Sequence, residues 1–410
     1  MIKPSSDKRF MQQALELARK GIALASPNPC VGAVLVDDGG KIIGRGSHTY
    51  EGHKHAEALA LEAAGDRARG ATLYVNLEPC SHVGRTGPCA DALIAAGVKR
   101  VFVAMRDPNP AVSGRGLARL RNAKIEVLEG LGEHQAKKLN ESFAKYIRQK
   151  TPFVTLKTAM TLDGKIAPPP GEGAIPSSLA PLTASGGWIT SEEARAHVHQ
   201  LRHANDAIMV GVGTVIADDP LLTDRTGLAR RRPLLRVILD SRLRLPLDSR
   251  VVKTAREDLI VFCCLAEENK RRELEARGVT VEQVPMRRPA EDGTIPFPSG
   301  SPTIDGRPDL ENVLANLGGR EITSLIVEGG AMVNWAALST GVVDKIFFYY
   351  APKILAGTGS IPFALGAGYR RISEAAYVKS LELHRFGEDF AVEGYLRDPY
   401  ADDIHLVQDT

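Results

Sequence analysis

Strand-like and helix-like segments alternate along nearly all of this chain, in two runs that meet at Lys150-Thr151-Pro152. No other feature constrains the fold as much, because helices that cross regularly between strands must pack on the faces of a sheet and give layered α/β domains. In the first run, Phe10, Ala14, Leu17, Ala18 and Ile22 recur at helical spacing and form one apolar face. The runs VGAVLVD and KIIGRGS flank Asp38-Gly39-Gly40, which reads as a hairpin turn. A helix HAEALALEAAG, a strand ATLYVNL, a loop, a helix CADALIAAG, a strand RVFVAM, a helix GLARLRNA, a strand KIEVLEG and one long polar helix to Gln149 follow. The pattern predicts a three-layer α/β domain over residues 1–150.

The second run opens with FVTLKTAMTLDGKIA. It is interrupted by the Pro-, Gly-, Ser- and Ala-rich stretch 168–187, an excursion without a core of its own. Thr190, with Glu193 three residues on, has the spacing of a capping box and is expected to start a helix. Strands are expected at AIMVGV, LLRVILD, DLIVFCC, VTVEQV, SLIVEGG and DKIFFYYAPKIL, the last pairing antiparallel with DFAVEGYLR. The expectation is a second α/β domain over 151–398 and an acidic, frayed tail over 399–410.

Composition narrows the function. The 410 residues are 43% apolar and 25% charged, as in a globular protein, and the net charge is only +3. So small a charge gives no electrostatic footprint for nucleic acid. No apolar run reaches the ~18 residues that suggest a membrane span. The N-terminal MIKPSSDKRFMQQ lacks the apolar core of a secretion signal. Five cysteines, an odd and low number, argue for a reducing compartment rather than a disulfide framework, so a cytoplasmic protein is expected. Cys263 and Cys264, within LIVFCC, read as buried small hydrophobes.

Core packing asks for none of the residues between His55 and Cys89. His55-Ala56-Glu57 opens a helix, Pro79-Cys80 follows a strand, and Cys89 opens another helix. Zinc takes N and S ligands, and a catalytic zinc keeps one coordination position for water. His55, Cys80 and Cys89 supply such a set. A helix N-terminus favours thiolate at Cys89. Glu57 is close enough to face the water without binding the metal, and can pass a proton to a leaving amine. A structural zinc site would need a fourth ligand; His82 could serve, although it more simply lines a pocket.

This HxE…PC…C pattern resembles the cytidine-deaminase-like zinc hydrolases. Eight residues, SHVGRTGP, separate the cysteines where other deaminases have two. With NPCVGAV from Asn28 to Val34, the longer loop resembles the bifunctional deaminase-reductases of riboflavin biosynthesis. The second half resembles their reductase through LKTAMTLDGKIA, WIT, ADDPLLTDR and EGG in that order.

The resemblance implies a cytidine-deaminase-like N-terminal domain and a dihydrofolate-reductase-like C-terminal domain. It implies one zinc per chain on His55, Cys80 and Cys89, a proton shuttle at Glu57, and pyrimidine contacts from Asn28 and His48. It implies NADPH contacts from Ala159, Trp188, Thr214, Asp218, Ser241 and the run Gly330, Ala331, Met332, Val333, Asn334, Trp335 and Ala336. Substrate contacts are implied at Arg202, Leu222, Arg225 and Glu328; Gly186 stands near the place of a family serine, and Lys157 could meet cofactor or ribose. The implied substrate is a phosphorylated pyrimidine, first deaminated and then reduced from ribosyl to ribityl, and the implied assembly is a homo-oligomer. A nucleic-acid base deaminase, a deaminase with an inactive reductase half, and a non-enzymatic sensor of a flavin precursor are the alternatives.

The residues of the second half carry weaker chemistry of their own. GVGTVIADDP lacks the third glycine of a dinucleotide fingerprint. LIVEGGAMVNWAAL runs strand, Gly329-Gly330, helix, which brings backbone N–H groups to a phosphate. Arg202 and Arg225 suit bidentate binding of a 5′-phosphate. ARRRP from Ala229 to Pro233 reads as a solvated basic loop, with the extra phosphate of NADP as the other reading. Lys54 is either solvated or a phosphate contact.

Overall fold

The computed structural model describes residues 4–81, 87–169, 187–286 and 306–401. Contacts divide the chain into two compact units. One comprises Met1–Lys150, Ala229–Arg232 and Pro399–Thr410, the other Thr151–Leu228 and Pro233–Asp398.

The first unit contains α1 (Pro4–Arg19), β1 (Gly32–Val36), β2 (Ile42–Ser47), α2 (Ala56–Ala64), β3 (Thr72–Leu77), α3 (Cys89–Ala95), β4 (Arg100–Met105), α4 (Arg115–Asn122), β5 (Glu126–Glu129), α5 (Glu133–Leu139) and α6 (Glu141–Gln149). Its sheet has the order β2-β1-β3-β4-β5. β1 is antiparallel to β2 and β3, while β3, β4 and β5 run parallel. β1 and β3 are buried throughout, and apart from Thr72 and Asn76 of β3 they are apolar. Helices cover both faces. Gly32 of β1 admits α1 so closely that a Cβ would strike the Ala14 carbonyl. Gly46 of β2 is paired with Ala33 and so faces the other way; there a Cβ would strike the Ala56 carbonyl of α2. The expected three layers are present, around a core that includes Phe10, Leu35, Leu73, Val103 and Leu117.

Two features of this unit differ from expectation. The long polar helix is two helices, broken at Asn140 (φ −112°, ψ 17°). The Asn140 side chain serves the Cys30 backbone instead: Oδ1 accepts the Cys30 N–H at 2.8 Å and Nδ2 donates to its carbonyl at 3.2 Å. Asparagine competes with helix geometry in this way. Tyr400, placed in a frayed tail, is held: its hydroxyl donates to the Lys137 carbonyl at 2.7 Å, and its carbonyl accepts from Arg148 at 2.5 Å. Residues 402–410 lie outside the described residues.

The second unit contains β6 (Phe153–Thr161), β7 (Lys165–Ala167), α7 (Glu192–Ala204), β8 (Ala207–Gly211), α8 (Val212–Asp218), β9 (Leu235–Leu239), α9 (Arg250–Lys253), β10 (Leu259–Cys263), α10 (Glu268–Glu275), β11 (Val279–Gln283), α11 (Leu310–Gly319), β12 (Ser324–Val327), α12 (Ala331–Ser339), β13 (Lys345–Ala351), β14 (Ile361–Pro362), β15 (Lys379–Phe386) and β16 (Asp389–Tyr395). The main sheet has the order β11-β10-β9-β8-β12-β6-β13-β16-β15. It is parallel from β11 to β13 and antiparallel at β13-β16 and β16-β15. Successive residues feed different cores. Met209, Phe262 and Leu325 enter one; Ile208, Val261 and Ile326 enter the other. Both faces of the parallel region are therefore covered.

α7 begins one residue later than the capping-box spacing suggests. Ser191 is the N-cap, its Oγ accepting the Ala194 N–H at 3.3 Å, and the Thr190 carbonyl is held by Arg195 at 2.6 Å. β15 is absent from the sequence reading because its alternation is inverted. Leu381 and Leu383 are 61% and 74% exposed, while His384 turns to Glu393 at 2.8 Å. The excursion 170–186, with Gly186, and residues 82–86, with His82, lie outside the described residues.

Candidate active sites

The first site is built from the starts of two helices and the end of a strand. His55 is the N-cap of α2, in extended conformation (φ −73°, ψ 156°). Cys80 follows β3, and Cys89 is the first residue of α3. His55 Nδ1 lies 3.2 Å from Cys89 Sγ and 3.4 Å from Cys80 Sγ. All three ligand atoms fall within 4.8 Å of one another. The Cys89 N–H, one of the donors a helix start leaves without a partner in the helix, points at Cys80 Sγ at 3.2 Å. One imidazole and two sulfurs, three members among the described residues, fit a zinc ion with one position open.

The surroundings set protonation. The hydrogen bond from Cys89 draws Cys80 down, and the same bond together with burial pushes Cys89 up. Glu57, in the first turn of α2, is 3% exposed. Burial raises its carboxyl to about 7, against the opposing pull of His55. A cation at the three ligands would draw it back down.

Asn28 and His48 sit together beside this cluster. Their side chains meet at 3.1 Å, and the His48 and His55 rings are 5.6 Å apart, edge to face. His48 Nδ1 is 2.9 Å from the Lys54 carbonyl, which can only accept, so Nδ1 carries the proton and Nε2 accepts from Asn28 Nδ2. That leaves Asn28 Oδ1 as the acceptor for a ligand. Burial lowers the pKa of His48 and favours the neutral ring. Lys54 is paired with Glu62 at 2.7 Å in the open.

Asn76, which the sequence reading did not single out, and the basic ARRRP run brace this loop. Asn76 Oδ1 accepts the Gly32 N–H at 2.8 Å, and its Nδ2 joins Asn140 on the Cys30 carbonyl at 2.9 Å. Arg231, of the basic ARRRP run, is held within the fold rather than solvated. It is 16% exposed, its guanidinium lies 3.4 Å from the Tyr50 ring centroid, and its Nη1 donates to the Ser26 carbonyl at 2.6 Å. Arg232 reaches Ser26 Oγ at 3.2 Å.

The second site lies along the carboxyl ends of parallel strands, where ligands of α/β sheets bind. Lys157 is on β6 and Glu328 directly follows β12, its neighbour. Glu328 accepts Arg202 in a fork, Nε at 2.6 Å and Nη2 at 3.0 Å, with Lys157 Nζ at 3.3 Å. Burial pushes Glu328 up, but the charges of Lys157 and Arg202 outweigh it and hold the carboxyl at about 2. The third donor of Arg202, Nη1, bonds the Thr223 carbonyl at 2.9 Å. Its fork is thus committed within the protein, which differs from the bidentate phosphate contact expected for it. Arg225 is exposed, in left-handed conformation (φ 53°), with Nε 3.4 Å from Thr223 Oγ1; Leu222 beside it is buried.

The residues implied for cofactor occupy neighbouring strand ends. Thr214 follows β8, Ser241 follows β9, and Gly330 caps α12 after β12. Gly211 and Gly329 both lie against Val333: a Cβ would come within 2.8 Å and 2.6 Å of it. Thr214 Oγ1 is 3.5 Å from where a Cβ on Gly330 would be. Within α12, Asn334 is fully buried, and among the described residues its Oδ1 has no hydrogen-bond partner; nor has the indole N–H of Trp335. An open glycine-edged helix start with an orphaned acceptor behind it fits a dinucleotide. Ala331, Met332 and Ala336 belong to the same helix. Ala159 is two residues past Lys157 on the same face of β6. Trp188 is 54% exposed and stacked by Arg195 at 4.8 Å, while Asp218 ends α8 in the open.

Known proteins match both halves. Residues 4–105 match the cytidine and deoxycytidylate deaminase zinc-binding region, and residues 152–392 match the RibD C-terminal domain. The riboflavin biosynthesis protein RibD of Aquifex aeolicus is 43% identical over 387 residues, which are 94% of this chain and 97% of that protein. RibD of Escherichia coli is 37% identical over 394 residues, 93% and 97% of the two chains. The solved structure of Acinetobacter baumannii RibD is similar with a TM-score of 0.76 at 34% identity, covering 96% of this chain and 99% of that one. The Thermotoga maritima diaminohydroxyphosphoribosylaminopyrimidine deaminase/5-amino-6-(5-phosphoribosylamino)uracil reductase gives 0.73 at 37% identity, covering 95% and 99%.

Proposed function

The chain belongs to the RibD family of riboflavin biosynthesis, and from that premise we propose which of its residues perform the two reactions. It is a bifunctional enzyme, a zinc-dependent deaminase joined to an NADPH-dependent reductase. Residues 1–150 carry the first activity and 151–398 the second in this reading, in keeping with the spans of the two family matches. The substrate is 2,5-diamino-6-ribosylamino-4(3H)-pyrimidinone 5′-phosphate, by analogy with the activity named for the Thermotoga relative.

His55, Cys80 and Cys89 would hold the zinc, which would supply the Lewis acidity that lowers the pKa of water towards neutrality. Glu57 takes the proton that the water loses and returns it to the amino group leaving the pyrimidine as ammonia. Asn28 Oδ1 accepts a ring N–H, with Nδ2 committed to the neutral His48. In the second half the strand ends around α12 would hold NADPH, which would supply the hydride that, with one proton from solvent, reduces the ribosyl group to ribityl. Glu328, kept ionised by Arg202 and Lys157, orders the substrate side of the crevice. Arg225, exposed on the 222–226 turn, meets the 5′-phosphate, and α12 with Asn334 receives the cofactor.

The observation that carries this reading is the three-atom His55, Cys80 and Cys89 cluster beside a buried carboxylate. Supplying the diaminopyrimidinone phosphate and NADPH to the whole chain tests it: ammonia must appear before nicotinamide absorbance falls. Absorbance loss without ammonia refutes the order. A homo-oligomer is supported by Leu381, Leu383 and Tyr377, exposed on or beside the sheet-edge strand β15. A reducing cytoplasm suits five free cysteines. Among the described residues no helix is long and apolar enough to cross a membrane.

A further inference from the structure

Glu78 lies between β3 and Pro79-Cys80 and is 4% exposed, yet neither reaction described above uses it. Its carboxylate accepts four backbone N–H groups. Oε1 takes Gly116 at 2.9 Å and Leu117 at 3.3 Å; Oε2 takes Gly114 at 2.9 Å and Asp107 at 3.1 Å. Its own N–H donates to the Met105 carbonyl at 3.0 Å. The end of β3 is thereby tied to the turn after β4 and to the first turn of α4. Gly116 closes the contact from the other side, since any Cβ there would strike the Pro79 carbonyl. Beyond Pro79, the Cys80 carbonyl accepts the Ala90 N–H at 3.1 Å and its sulfur accepts the Cys89 N–H.

We propose that Glu78 is a positioning residue of the deaminase centre, whose carboxylate fixes the backbone at Pro79-Cys80 so that the Cys80 sulfur meets His55 and Cys89. The proposal rests on the reading of Cys80 as a zinc ligand. Ligand geometry at a metal site must be held within about 0.5 Å, and Cys80 is one proline away from this anchor. Only a carboxylate suits the place. A glutamine would offer one oxygen to two of the N–H groups and turn its NH2 towards the other two, donor against donor. Groups that orient metal ligands typically change metal affinity 10–100-fold when removed.

Glu78→Gln in the full chain tests this. Zinc should leave to a chelator about 10–100-fold faster than from wild type. Ammonia release should fall and recover when zinc is added in excess. The KM for the pyrimidine should hold, because Asn28 and His48 are untouched. NADPH oxidation with the deaminated intermediate should stay at the wild-type rate. Cys80→Ser separates the two levels. If that variant keeps zinc, the ligand reading falls; if it loses zinc while Glu78→Gln releases zinc at the wild-type rate, only the positioning role falls. Should Glu78→Gln fail to fold, wild type carries the test, because coupling between two sites is reciprocal. Zinc must then slow amide exchange at Asp107, Gly114, Gly116 and Leu117, and equal exchange with and without zinc overturns the proposal.

Discussion

Glu57 and Glu328 are both buried carboxylates at the centre of their sites, yet burial lifts Glu57 to about 7 while Glu328 is held at about 2. Desolvation acts on both. The difference is the company each keeps: Glu57 has an imidazole and two sulfurs, Glu328 an arginine fork and a lysine. With no cation on the three ligands, Glu57 exchanges its proton near neutral pH, whereas Glu328 is a fixed charge. Residue type and burial therefore do not assign a role; the charge of the neighbours does.

The sharpest way to break this contrast is Glu57→Gln. Loss of the proton carrier should cut ammonia release by about 1000-fold, with NADPH oxidation of supplied intermediate unchanged. Retained ammonia release would make Glu57 as passive as its counterpart. Glu328→Gln should act the other way, leaving Arg202 and Lys157 buried without their carboxylate. A loss of roughly 3 kcal/mol in unfolding of the second unit is expected, measured by denaturant titration, with zinc-dependent deamination retained.

The acid limb sharpens the comparison further. The folded-state pKa of Glu328 lies below its ordinary value of 4.5. Between these values the unfolded chain binds the extra proton, so the stabilisation is complete above 4.5 and is lost as pH falls towards 2. The stability gap between wild type and Glu328→Gln should narrow over that window, and a gap that stays constant would contradict the assignment. Arg231→Ala should give the smallest effect. Losing the stack on Tyr50 and the bond to Ser26 should raise the KM for deamination roughly fivefold, and leave the reductase unaltered.

The same contrast explains what could be read before the structure. Zinc chemistry demands particular donors, so His55, Glu57, Cys80 and Cys89 leave a compact signature within 35 residues. The second site is assembled from strand ends between Lys157 and Ala336, and much of it works through backbone, so only the resemblance pointed to it. Supports acting at long range were invisible. Asn76, Asn140 and Glu78 hold backbone groups far along the chain and look like ordinary polar residues. Asn140, a poor helix former inside a polar helix, was the one available hint of a break. Thr190 and Ser191 are adjacent hydroxyls, and the spacing to Glu193 favoured the one that does not cap. β15 hid because its leucines face outward, as does any edge strand whose polar face is the packed one.

Metal content tests the central claim most directly. Purified wild type should hold about one zinc per chain, and Cys89→Ser should lose most of it while still oxidising NADPH with the deaminated intermediate. Zinc retained at the wild-type level in Cys89→Ser would contradict the three-ligand centre on which the deamination account depends.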